Sequence, residues 1–66
     1  MHIKINGKEH DIESGCTIAR LLELLNLKAD QVAVEHNRNI VLRSDFESTE
    51  LHGDDQVEIV NFVGGG

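Results

Sequence analysis

Few residues in this chain have the type and spacing that chemistry needs. Cys16 is the single cysteine, and neither a second thiol nor a histidine adjoins it. It stands just before a predicted helix, where a thiol pKa tends to fall, but an isolated cysteine reads as structural or incidental. His2, His10, His36 and His52 form no pair at metal-ligand spacing, so solvated histidines and no metal site are expected. His36 beside Asn37 at a strand end is only a hint of function. Asp54 and Asp55 with Glu58 concentrate acid around a turn, which reads as solvated or as a contact for basic groups on a partner. No Ser-His-Asp set is visible. The glycines at the end precede no helix, so they are not a phosphate cradle.

What remains is the end of the chain. A β-prone run through Val57, Ile59, Val60, Phe62 and Val63 leads straight into Gly64-Gly65-Gly66. Glycine moves freely through φ/ψ space and cannot continue a strand stably. Residues 64–66 are therefore expected to form a thin, flexible tail carrying the α-carboxylate of Gly66. Three residues reach about 10 Å beyond the strand, a length suited to another protein's active site. An α-carboxylate is ionised at neutral pH and is a poor electrophile, so any acyl chemistry there needs prior activation.

The bulk numbers narrow the classes. Sixty-six residues make one small domain of marginal stability. One cysteine excludes an internal disulfide and, with no apolar leader, suggests a reducing, cytoplasmic setting. No apolar stretch approaches the length of a bilayer span. The net charge of −6 repels phosphate backbones and anionic lipid heads, so neither nucleic acid nor membrane is an expected partner. A basic protein surface is.

The elements that must position the tail follow from pattern. Residues 2–6 alternate polar and apolar as a half-buried strand. Asn6-Gly7 is a hairpin turn with φ > 0 at both positions, and residues 8–12 return as a charged edge strand. Thr17 suits an N-cap. Ile18, Leu21, Leu22 and Leu25 then fall on one helical face, with Ala19, Arg20 and Glu23 toward solvent. Leu24 and Leu27 would widen the apolar face, and Asn26 would close the helix. Residues 31–36 and 40–42 read as strands joined by a turn at 37–39. Ser44 with Glu47 suggests a capped turn, and Phe46 and Leu51 suggest core anchors. The last strand is apolar on both faces, as a central strand would be. Val57, Ile59 and Val63 lie on one side. Val60 and Phe62 lie on the other, either as a docking patch beside the tail or as partly buried side chains. The order is ββαβββ, and one helix covers one face of the sheet.

A short acidic chain in this order, ending in apolar residues and glycines, resembles the ubiquitin-like β-grasp family. Within it, the chain is most similar to the ThiS-type sulfur carriers of thiamin biosynthesis. The shared pieces are Asn6-Gly7, Thr17-Ile18 with Leu21-Leu22, Val32-Ala33-Val34-Glu35 with Asn37, Asp54 with Val57-Glu58-Ile59-Val60, and Phe62-Val63-Gly64-Gly65-Gly66. A third terminal glycine departs from the simplest Gly-Gly ending. The resemblance implies an α+β fold: a mixed sheet of four to five strands with one main helix on one face, a β-grasp domain over 1–63 and a tail over 64–66. It implies a protein co-substrate and not an enzyme, binding no cofactor itself. A ThiF-type adenylating enzyme, using ATP and Mg, would activate Gly66. A cysteine desulfurase system would supply sulfur to form a thiocarboxylate, and a ThiG-type thiazole synthase would receive it. Gly64 and Gly65 would thread the partner's channel, and Val60, Phe62 and Val63 would contact the partner. Two alternatives stay open: the small sulfur-carrying subunit of molybdopterin synthase, and a ubiquitin-like modifier or interaction module.

Overall fold

The computed structural model describes residues 1–62. Val63 and Gly64, Gly65 and Gly66, with the expected tail and the upper bound of the 1–63 domain, lie outside the described residues. Asn6 and Gly7 both take positive φ (51° and 82°), the mirror-image turn whose twist matches a hairpin. That turn joins β1 (His2–Ile5) to β2 (Lys8–Asp11) in antiparallel register.

Helix α1 (Ile18–Leu24) starts at Thr17, whose hydroxyl accepts the Arg20 N–H at 3.2 Å. It ends in two backbone bonds, Leu27 N–H to Leu22 O at 2.9 Å and Asn26 N–H to Glu23 O at 3.0 Å. Asn26 has φ 58°. This is the left-handed closure expected of Asn26, and it turns Leu27 back against the core. Leu24 does not widen the apolar face. It lies more than a quarter-turn from the Ile18–Leu21–Leu22 stripe, at about 100° per residue, and is 48% exposed. Ala19 is half-buried against the core instead of facing solvent.

A 3-10 turn over Ala29–Gln31, not evident from sequence, leads into β3 (Val32–His36). Asn37 and Arg38, at φ 50° and 71°, turn the chain into β4 (Asn39–Val41), one residue earlier than the apolar run 40–42 suggests. A second 3-10 turn spans Arg43–Asp45. Ser44 does not cap it. The Asp45 carbonyl instead accepts the hydroxyls of Ser48 (3.2 Å) and Thr49 (2.7 Å). Phe46 and Leu51 are buried, as expected.

The final strand, β5 (Gln56–Asn61), is central. The sheet order is β2-β1-β5-β3-β4, with β5 parallel to β1 and antiparallel to β3. Ile3, Ile5, Val32, Val34, Val57 and Ile59 face α1 and build the core with Ile18, Leu21, Leu22, Phe46 and Leu51. This is the mixed five-stranded α+β arrangement that the resemblance implies. Among the described residues the opposite face of the sheet carries no α-helix.

Candidate functional site

The site is built on β5, because its alternation sends Val57 and Ile59 inward and Val60 outward. Val60 and Phe62 are each 62% exposed. Neither is tucked among neighbouring strands to the extent that the partial-burial reading expects. Val60 pairs with Ala33 of β3, and the Phe62 N–H donates to Gln31 O at 3.0 Å, so pairing with β3 holds the strand to its last described residue. Beside Val60 lies a shallow depression of about 190 Å³ lined by Asn6, Ala33, Glu35, Ile40 and Glu58. Ile40 is 77% exposed. Sequence reasoning left it out of the patch, because its place depends on the pairing of Ile40 with Glu35 across two strands.

Two side-chain networks fix β5 in place. Asn6 Nδ2 donates to Ile59 O at 3.2 Å, and Asn6 Oδ1 accepts the Ile59 N–H at 2.8 Å. The amide thus substitutes for a strand residue where the β1–β5 ladder stops at Ile5 and Val57. At the other end of β5, Asp55 accepts from His36 Nε2 (2.6 Å), Asn37 Nδ2 (3.1 Å) and the His52 N–H (2.8 Å). Asn37 Oδ1 accepts the Gln56 N–H at 2.9 Å. Burial works against the Asp55 charge, but the hydrogen bonds from His36, His52 and Asn37 outweigh it and hold the carboxyl below the usual aspartate range. Asp55 is therefore not solvated, because its turn tucks it under the start of β5. His36 is likewise half-buried and partnered, not a solvated histidine.

Cys16 is buried, with its Sγ 3.4 Å from Thr17 O. Burial, and then the nearby Glu13, push the thiol pKa up against the opposing pull of Arg20. That is the structural role expected of it. Among the described residues no group of three or more histidines, cysteines or carboxylates is placed to hold a metal ion, and no helix is long and apolar enough to cross a membrane. What this arrangement offers is a central strand held at both ends, whose open face carries Gln56, Glu58 and Val60 and continues to the exposed Phe62. Val63 and the glycines expected to act there lie outside the described residues.

The sequence profile of the ThiS family matches residues 3–66. A sulfur carrier protein ThiS from Bacillus subtilis is 37% identical over 65 residues, covering 97% of this chain and 98% of that protein. A thiazole synthase from Magnetococcus marinus is 42% identical over all 66 residues, and the chain spans 20% of its length. The crystal structure of a thiamine biosynthesis protein (ThiS) from Geobacter metallireducens superposes with a TM-score of 0.86 at 32% identity, covering both chains completely.

Proposed function

The chain belongs to the ThiS family, and from that premise we propose that it serves as a sulfur carrier in thiamin biosynthesis, loaded at the α-carboxylate of Gly66. The observation that carries this reading is the form of β5. It is the central strand, pinned by Asn6 and Asp55, with exposed Val60 and Phe62 immediately before residues 63–66. A carrier needs a rigid handle and a chain end thin enough to enter a partner. The sequence Gly64-Gly65-Gly66 supplies the second, since no Cβ obstructs a narrow channel.

In this reading the protein is a co-substrate and not an enzyme. A ThiF-type adenylating enzyme uses Mg-ATP, and the Gly66 carboxylate attacks the α-phosphorus and releases pyrophosphate. The terminal sulfur of a persulfide, formed from cysteine by a desulfurase system, attacks the acyl carbon. AMP departs with one carboxylate oxygen and leaves an acyl disulfide. A second thiol then reduces this to the thiocarboxylate, itself ending in a disulfide. A ThiG-type thiazole synthase accepts the sulfur, and the carboxylate returns. Val60, Phe62 and Val63 contact these partners in a cytoplasmic setting. The similarity to a much longer thiazole synthase supports the thiazole synthase as a partner.

Intact mass tests the loading. Co-expression with the adenylating enzyme and a sulfur source is expected to yield a species heavier by the difference between sulfur and oxygen. A Gly65→Ala, Gly66→Ala double variant is expected to lose ATP–pyrophosphate exchange with the adenylating enzyme by about 100-fold or more, the scale on which small misplacements act. Normal exchange by that variant overturns the role of the glycines. Unchanged mass under loading conditions overturns the carrier itself.

A further inference from the structure

Glu35 of β3 and Glu58 of β5 are direct cross-strand partners on the open face of the sheet. Like charges in that position repel and destabilise a sheet. Among the described residues neither carboxylate belongs to an ion pair. Lys4 and Arg38 line a neighbouring depression together with Glu58, yet neither pairs with it. Among the described residues, then, no cation of the domain itself is paired with either member of this facing acidic pair.

The two carboxylates also line the depression beside Val60, whose apolar walls are Ala33, Ile40 and Val60. Apolar walls with two acceptor groups fit a long aliphatic stem that ends in a cation. A guanidinium can bond two carboxylates through its planar fork, and an ammonium can sit between them. The net charge of −6 draws such a surface in from solution. Val60 of this depression stands two residues before the exposed Phe62.

Resting on the reading that this face meets a ThiG-type thiazole synthase, we propose that the depression between Glu35 and Glu58 is a seat for an arginine or lysine side chain of that enzyme. Bound there, the cation removes the Glu35–Glu58 repulsion and fixes the sheet's orientation on the partner. The opposed carboxylates are thus unfavourable in the free domain and favourable in the complex.

The test measures binding and stability on the same variants. Glu35→Gln, Glu58→Gln and the double variant keep size and polarity on an exposed face, so they fold. Titration calorimetry with a ThiG-type thiazole synthase from the same genome is expected to show binding weakened about tenfold or more by the double variant, with a flatter salt dependence. Its melting temperature is expected to equal or exceed that of the wild type. Wild-type affinity and salt dependence in the double variant overturn the seat. Val60→Asp separates the two levels. If it abolishes binding while the double Glu variant binds normally, the seat falls and the docking face stands. If it also binds normally, the docking face falls and the seat falls with it.

Discussion

Asp55 shows how one residue changes meaning between sequence and structure. Beside Asp54 and Glu58 it reads as surface acid, but the structure gives it three donors and 12% side-chain exposure. Asp55→Ala leaves those donors without their acceptor. The expected cost is about 2–3 kcal/mol, which for a domain of this size lowers the melting temperature by about 10–20 °C. The pH dependence has a definite sign. The carboxyl pKa is lowered in the folded state, so its contribution is fully present above the unfolded value of about 3.9. It is lost as pH falls through the lower folded value. Thermal unfolding of the wild type and Asp55→Asn across pH 2–6 is expected to show the gap between them narrowing as the solution is acidified below about pH 4. A gap constant across that range would remove Asp55 from the acid response.

At the scale of elements, local chemistry was legible and long-range pairing was not. Asn6-Gly7, the Thr17 cap, the Ile18–Leu22 stripe and the Asn26 closure each express a preference of a few neighbouring residues, and each appears where expected. The central place of β5 was legible too, from its apolar residues on both faces. What sequence could not reveal depends on partners far along the chain. Asn37 meets Gln56 and Asp55, Asn6 meets Ile59, and Ile40 joins Val60 only through two strand registers. The Asn6 bracket is the sharpest case, spanning 53 residues to secure the last strand. Asn6→Ala loses both bonds and a residue type that tolerates φ 51° better than alanine does. It is expected to cost about 1–2 kcal/mol and to speed hydrogen exchange at the Ile59 amide, while Asn6→Asp, keeping the acceptor, loses less. An Ile59 amide protected equally in all three proteins would show that the ladder closes without the bracket.

The whole molecule is asymmetric about its sheet, and that asymmetry connects stability with function. Among the described residues one α-helix covers one face, so the apolar core lies between the inner side of the strands and α1, joined by Cys16, Phe46 and Leu51 of the connecting segments. The same strand then serves two purposes: Val57 is 1% exposed and Val60 is 62% exposed. Total stability for a domain this size is roughly 3–10 kcal/mol, so the inner side tolerates little. Val57→Ala removes buried methyl groups and is expected to cost about 2 kcal/mol, a large share of that total. Val60→Ala, three residues along, is expected to stay within about 0.5 kcal/mol of the wild type. Denaturant titration of the two variants side by side measures this directly. Equal losses would mean that the outer face carries structural weight and is not free for a partner. A loss confined to Val57 means that stability does not explain why Ile40, Val60 and Phe62 are apolar. The proposed docking of this face on a partner protein then accounts for it.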